Sequence, residues 1–280
     1  MEALATGYGL IEGPVWDDER GLLFSDVLNG GVFALAADGT VTTVVPKRRG
    51  VGGMALHADG GLILGGKDIV FQDFAGNPAR VVLGNDVTEE AIGFNDLTTD
   101  TQGRVWAGSL AFRVFAGEPV RPGHLHVVEL DGSVRTVSDG VTLTNGLGFS
   151  PDGRTLYHSD SRIQTVRAYD IGEDGSVAPW RPFAKIGGEG IPDGLAVAQD
   201  GSVWVANAHG GCVSVFEANG TLREEIAVPL PMVTSVCFGG DDLRDLYIVT
   251  GSRGGPSDNC GSIYKLPVDV PGLPLAPARV

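Results

Sequence analysis

The sequence predicts an all-β protein, specifically a six-bladed β-propeller built from antiparallel four-stranded blades. Glycine is frequent, with 43 residues spread along a chain of 280, and no long amphipathic helix pattern is present. Six similar segments recur, and each contains short apolar strands joined by Asp-Gly, Asn-Gly or related turns. Together these observations indicate a fold made of many short strands with a turn between each pair.

Each repeat is recognised by a short strand that ends in small or polar residues. The six strands are residues 22–26, 62–66, 105–109, 156–160, 203–207 and 246–250. A second strand lies upstream of each one, and several repeats carry a third strand that ends in an Asp-Gly or Asn-Gly turn. Each repeat of about 40 to 50 residues is therefore a small antiparallel meander.

Six such meanders must pack against one another, because a single one cannot bury both of its faces. Radial closure also leaves few strand edges exposed. The stretch from Met1 to Gly9 precedes the first repeat. We expect it to supply the outer strand of the last blade and to close the ring, so that residues 1–280 form a single propeller domain.

Composition excludes several classes of function. A formal net charge of −15 argues against binding to nucleic acid or to anionic lipid. Three cysteines outside any CxxC arrangement indicate neither a disulfide framework nor a zinc knuckle. The chain has neither a signal-peptide pattern at its start nor an apolar run near the roughly 18 residues of a membrane span. We expect a cytoplasmic protein, and the sequence sets no oligomeric state.

The innermost strand of each propeller blade begins beside the central channel, so residues at that point converge in space. Four of the six residues at this position carry carboxylate or amide oxygens, and none is cysteine or histidine. These hard donors predict one divalent cation, with calcium expected first and magnesium, manganese, zinc or iron(II) as alternatives. A role in capping turns is the other interpretation. The six axial residues are Glu12, Gly52, Asn95, Asn145, Asp193 and Thr234.

The motifs around these positions resemble those of the SMP-30/gluconolactonase/luciferin-regenerating enzyme family, also called regucalcin-like. The resemblance covers nearly the whole chain. It implies that Glu12, Asn145 and Asp193 bind the divalent ion, and that Asn95 lies near both metal and substrate. The matching segments are residues 12–16 (EGPVW), 94–96 (FND), 103–108 (GRVWAG), 144–147 (TNGL), 192–195 (PDGL) and 234–240 (TSVCFGG).

The resemblance also implies a carboxylic ester hydrolase that opens a small lactone. In this chemistry the cation polarises the lactone carbonyl and offsets the charge of the oxyanion. Asp193 would act as the general base for the attacking water, and Glu12 would be mainly a ligand. Two alternatives remain open at the same site, namely hydrolysis of phosphotriesters or phosphonofluoridates, and a calcium-binding propeller without catalytic activity.

The segment expected to meet the substrate departs from the family pattern. Sugar lactonases of the family carry an arginine where this chain has Gly93, and several have acidic lid residues where it has Ala111 and Phe112. Both changes predict a less hydroxylated substrate, although an aldonolactone stays possible. Arginines of the loop 111–123 could replace the missing arginine if that loop folds over the axis; otherwise they are simply solvated. The candidate substrate-contacting residues are Asn95, Phe112, Arg113 and Arg121.

Overall fold

The computed structural model describes residues 1–114 and 116–280. In these residues the chain forms 24 β-strands and a one-turn 3₁₀ helix at Ser161–Ile163. The strands make six antiparallel four-stranded sheets. The innermost strand of each sheet contacts the innermost strand of the next, around a closed ring. None of the described residues belongs to a helix that is long and apolar enough to cross a membrane. The predicted six-bladed propeller is confirmed.

The ring is closed by pairing between the first and last strands of the chain. Strand β1 (Glu2–Tyr8) lies antiparallel to β24 (Gly261–Pro267) and forms the outer edge of the last blade. This arrangement confirms the expectation that the N-terminal stretch completes blade 6. Because the two ends of the chain share one sheet, the backbone hydrogen bonds of that sheet hold the propeller shut.

The strands of each blade are numbered from the axis outward. Blade 1 contains β2 (Ile11–Asp17), β3 (Gly21–Asp26), β4 (Val32–Leu35) and β5 (Val41–Val45), and blade 2 contains β6 (Met54–His57), β7 (Gly61–Leu64), β8 (Ile69–Asp73) and β9 (Arg80–Leu83). Blade 3 contains β10 (Gly93–Thr99), β11 (Val105–Leu110), β12 (Gly123–Val128) and β13 (Val134–Val141). Blade 4 contains β14 (Thr144–Phe149), β15 (Thr155–Asp160), β16 (Thr165–Asp170) and β17 (Arg181–Lys185). Blade 5 contains β18 (Ile191–Val197), β19 (Val203–Ala208), β20 (Cys212–Phe216) and β21 (Leu222–Ala227), and blade 6 contains β22 (Val233–Gly239), β23 (Asp245–Thr250), β24 and β1.

Hydrophobic clusters lie between neighbouring blades and hold the ring together. Between blades 5 and 6, the Trp204 ring meets Phe238 edge to face with centroids 5.4 Å apart. Between blades 3 and 4, the fully buried Trp106 meets Phe149 in the same way. Burial of each large apolar side chain contributes about 1.5–3 kcal/mol. The blades therefore pack face to face, as the repeat pattern required.

The central channel has two different ends. At one end the innermost strands begin, and there lie the candidate ligands. The other end is crossed by residues 272–279, the C-terminal strap, in which Leu273 N–H donates to the Val197 carbonyl at 2.9 Å and Ala278 N–H donates to the Leu56 carbonyl at 2.7 Å. A cavity of about 380 Å³ lies between the two ends and is lined in part by Asp96 and by residues 273–276 of the strap.

Candidate functional site

Four of the predicted axial residues lie in the innermost strands of blades 1, 3, 4 and 5. The sequence placed them just before these strands, but the structure puts them inside, beside a shift in the pairing register with the next strand. Such a bulge changes the direction of a side chain and interrupts the regular alternation of the strand. The strands and their residues are β2 with Glu12, β10 with Asn95, β14 with Asn145 and β18 with Asp193.

A chain of hydrogen bonds links the axial residues of blades 3, 4 and 5. The Asn95 amide nitrogen Nδ2 donates to Oδ1 of Asn145. Nδ2 of Asn145 in turn donates to Oγ of Ser161 at 2.7 Å, and this hydroxyl donates to the Pro192 carbonyl at 2.6 Å. Pro192 directly precedes Asp193. The structure therefore brings these residues together although they are far apart in the sequence.

Three buried carboxyl groups lie close together at this end of the channel. Glu12, Asp96 and Asp193 are each at most 9% exposed. Burial, followed by repulsion from the neighbouring carboxylates, raises the pKa of Glu12 and of Asp193 well above their ordinary values. Burial also raises the pKa of Asp96 to about 7.

No cationic side chain of the described residues pairs with these carboxyl groups. No ion pair joins the three carboxyl groups to a lysine, arginine or histidine of residues 1–114 or 116–280. Oδ1 of Asp193 and Oδ2 of Asp96 are buried without a hydrogen-bond partner. Buried carboxyl groups in such a place must bind either protons or a cation.

The donor set fits a hard divalent cation. Glu12 and Asp193 provide two carboxylates, while Asn95 and Asn145 provide carboxamide oxygens, and these are the ligand types that calcium, magnesium and manganese prefer. Within the described part of the chain, no group of three or more histidine, cysteine, aspartate and glutamate side chains could hold a metal ion. A cation at this end of the channel would therefore need the carboxamides as well as the carboxylates.

Asp96 is a site residue for which the sequence analysis assigned no role. It directly follows the axial residue Asn95, and it lines the cavity between the candidate ligands and the strap. The signal in the sequence is its departure from the other repeats, which have a small residue at this position. Those residues are Gly13, Gly53, Gly146, Gly194 and Ser235.

The glycines that follow the axial residues have a steric cause. A β-carbon at Gly146 would lie 2.7 Å from the carbonyl oxygen of Asp193, and one at Gly13 would lie 2.9 Å from the carbonyl oxygen of Gly52. The innermost strands of adjacent blades thus approach too closely for a side chain. Gly52 is itself an axial residue, and a β-carbon there would overlap Oδ1 of Asn95. The Glu-Gly, Asn-Gly and Asp-Gly motifs therefore combine a ligand candidate with close strand packing.

The carbonyl group that directly precedes each candidate ligand accepts a hydrogen bond from the previous blade. These bonds run in the same direction around the ring, and they fix the start of each innermost strand relative to its neighbour. The axial Thr234 has this structural role instead of a ligand role. The pairs are Thr234 Oγ1 to Ile11 O at 2.5 Å, Gly66 N to Phe94 O at 3.3 Å, Asn95 Nδ2 to Thr144 O at 2.9 Å, and Ser161 Oγ to Pro192 O at 2.6 Å.

The other predicted site residues lie in the connection between β11 and β12. Phe112 is 1% exposed, so it packs inside the protein. The Arg113 side chain is 74% exposed, and its Nη1 pairs with Oε1 of Glu118 at 2.7 Å. Arg121 is exposed. Among the described residues, neither arginine forms a hydrogen bond or ion pair with the axial residues, and their contact with a substrate stays a prediction.

Comparison with known proteins agrees with this architecture. Residues 10–252 match the model of the SMP-30/gluconolactonase/LRE-like region. The chain is 33% identical to pentonolactonase XacC of Haloferax volcanii, over 96% of this chain and 94% of that protein. It is also 33% identical to a 6-deoxy-6-sulfogluconolactonase of Pseudomonas putida, over 93% and 92%. The crystal structure of a calcium-binding protein, regucalcin, of Agrobacterium tumefaciens has the same fold, with a TM-score of 0.85 and 21% identity over 99% and 96% of the two chains. The predicted family is thus confirmed, and this chain belongs to the SMP-30/gluconolactonase/LRE-like family.

Proposed function

We propose that this chain is a divalent-cation-dependent hydrolase that opens a small lactone, with calcium as the first candidate ion. The observation that carries the proposal is the group of buried carboxyl groups of Glu12, Asp96 and Asp193, which has no cationic partner among the described residues. Two relatives at 33% identity are named as lactonases, which supports the reaction class. The Agrobacterium protein of the same fold is described as calcium-binding, which supports the choice of ion.

The proposed mechanism assigns separate roles to the axial residues. Glu12, Asn145 and Asp193, together with Asn95, would hold the cation. When bound, the cation supplies Lewis-acid polarisation of the lactone carbonyl. A bound cation would offset the repulsion between the buried carboxylates and so would favour the ionised form of Asp193. Asp193 then accepts a proton from the water that attacks the carbonyl carbon.

Recognition of the substrate is proposed for Asn95 and for the connection between β11 and β12. Gly93 has no side chain with which to take over this role. The backbone at this position is also crowded, because a β-carbon there would lie 3.0 Å from the carbonyl oxygen of Gly66. The proposal assigns the contact with polar substituents of the lactone to Arg113 and Arg121. Both are exposed, so they can reach a ligand without unfolding the blade, although Arg113 must then leave its ion pair with Glu118.

The test is a hydrolysis screen with EDTA-treated, metal-free protein. The substrates are an aldonolactone, an aliphatic γ-lactone, an aryl lactone and a phosphotriester, each with and without calcium, magnesium, manganese or zinc chloride. Lactone opening measured in a pH-stat should require the cation and return when it is added back. Turnover by the metal-free sample rules the mechanism out. Phosphotriester hydrolysis without lactone opening would indicate the alternative hydrolase, and cation binding without turnover would indicate a non-catalytic binder.

Substitution of Asp193 tests its role as general base. Asp193→Ala and Glu12→Ala should each abolish hydrolysis. Asp193→Asn keeps one ligand oxygen, although it weakens calcium binding, and it removes the base, so at saturating calcium we expect kcat to fall roughly 10²–10⁴-fold. Asp59→Asn, at a side chain that is 83% exposed, is the control and should keep full activity. A kcat for Asp193→Asn close to that of the control would assign the base to another group.

A further inference from the structure

Ser161 contacts one candidate ligand, Asn145, and the residue that directly precedes another, Pro192. It is the first residue of the one-turn 3₁₀ helix after β15, and it is fully buried. Its hydroxyl donates to the Pro192 carbonyl at 2.6 Å and accepts the Asn145 amide N–H at 2.7 Å. Pro192 is bonded to Asp193, so one side chain links the ligand candidates of blades 4 and 5.

The bond to Pro192 determines what Ser161 can offer to Asn145. A serine hydroxyl has a single hydrogen, and here the Pro192 carbonyl takes it. Only the lone pairs of Oγ then face Asn145, and they accept a hydrogen bond from the NH₂ group but repel the carboxamide oxygen. On its other side, Oδ1 of Asn145 accepts a hydrogen bond from Asn95. The carboxamide is thus held with its nitrogen toward Ser161.

This orientation matters because only the oxygen of a carboxamide can coordinate a hard cation. If the carboxamide turned over, its NH₂ group would take the place of Oδ1. Residues that orient a metal ligand in this way contribute to affinity although they do not touch the ion.

We infer that Ser161 is a positioning residue for cation binding, which holds the oxygen of Asn145 available to the ion and fixes the start of the Asp193 segment. The inference rests on the proposed function, because it needs a cation at the axis. Among the described residues, Ser161 has the only hydroxyl group that forms a hydrogen bond with the side chain of a candidate ligand.

Ser25 provides a matched control. It is also fully buried, and its hydroxyl also donates to a carbonyl of the next blade, that of Val51, at 2.6 Å. The carbonyl oxygen of Glu12 lies farther from the same hydroxyl, at 3.2 Å. Val51 precedes Gly52, the axial residue that has no side chain. Loss of the Ser25 hydroxyl therefore removes a comparable hydrogen bond between blades without disturbing a ligand side chain.

The experiment compares Ser161→Ala and Ser25→Ala by calorimetric titration of metal-free protein with calcium chloride. We expect calcium affinity to fall roughly 10- to 100-fold in Ser161→Ala and to stay unchanged in Ser25→Ala. Hydrolysis by Ser161→Ala should recover at saturating calcium. Equal calcium affinity in the two variants overturns the inference, whereas a wild-type protein that binds no divalent cation overturns the proposed function. If Ser161→Ala does not fold, Ser161→Cys, which keeps a side chain of similar shape with weaker hydrogen bonding, replaces it.

A double-mutant cycle with Asn145→Asp identifies the cause. A carboxylate has two equivalent oxygens, so there is no orientation for Ser161 to select. In that background the Ser161→Ala substitution should cost less calcium affinity than in the wild type. An equal cost in both backgrounds would mean that Ser161 acts on the backbone alone, and it would overturn the orienting role.

Discussion

Two kinds of buried carboxyl group occur in this propeller, and their surroundings differ. Asp160 at the end of β15 is 0% exposed and pairs with Nη2 of Arg167, whose side chain is 2% exposed, at 2.5 Å. Glu12, Asp96 and Asp193 at the axis are also buried, but no cationic side chain of the described residues pairs with them. The same fold therefore gives the buried carboxylate of Asp160 a cationic partner and leaves these three carboxyl groups without one.

The difference indicates what each group does. Asp160 also accepts the backbone N–H groups of Thr142 and Leu143 at 2.9 and 3.0 Å, so it holds the turn that leads into β14 and Asn145. Both of its carboxylate oxygens thus have partners within the protein, as expected for a structural residue. Asp96 and Asp193 each keep a buried carboxyl oxygen without a hydrogen-bond partner, as expected for residues whose partner is a ligand.

Stability measurements on matched variants should separate the two kinds. In metal-free protein at neutral pH, Asp160→Asn breaks a buried ion pair and should lower the free energy of unfolding by about 3–5 kcal/mol. Asp193→Asn replaces a buried carboxyl group that has no cationic partner with a neutral carboxamide, so it should not lower this free energy. Urea denaturation followed by tryptophan fluorescence provides both values. Equal losses in the two variants would contradict the distinction drawn between the carboxylates.

Addition of calcium should sharpen the contrast. A ligand that binds only the folded state raises the free energy of unfolding by about 2.7 kcal/mol at 100 times its dissociation constant. The wild type and the control Asp59→Asn should show this increase, and Asp160→Asn should keep it on a lower baseline. Asp193→Asn should lose most of it. A calcium effect on Asp193→Asn as large as that on the wild type would place the ion elsewhere.

Much of the fold and part of the site could be predicted from the sequence, because both depend on the repeat. Glu12, Asn95, Asn145 and Asp193 occupy the equivalent position of repeats 1, 3, 4 and 5, which predicts that they share one end of the channel without any knowledge of distances. The pairing of β1 with β24 followed from the need to close the ring, and the structure confirms it.

The remaining features depend on contacts between blades. Ser161 lies in a connection whose spacing carries no repeat signal, and its importance comes from a hydrogen bond to the next blade. Asp96 lies one position after the axial residue of its repeat, so the pattern of axial residues does not indicate it. The C-terminal strap has no strand alternation. Its path depends on backbone hydrogen bonds to carbonyl groups near the ends of β6 and β18.

The pH dependence of stability tests whether Asp96 belongs to the uncompensated group. Burial raises its pKa to about 7 from an ordinary value near 3.8. Between these values the folded protein binds a proton that the unfolded chain has released, so the free energy of unfolding of metal-free protein falls as pH rises from about 4 to about 7. The slope for one such group is at most about 1.4 kcal/mol per pH unit.

Asp96→Asn removes this titration, since a carboxamide binds no proton in this range. The free energy of unfolding of the variant minus that of the wild type should therefore be smallest near pH 4. This difference should increase up to about pH 7 and then level off. Urea denaturation of metal-free protein at intervals of one pH unit provides the comparison. A difference that does not change with pH would mean that Asp96 is ionised throughout, and hence that an unrecognised partner compensates its charge.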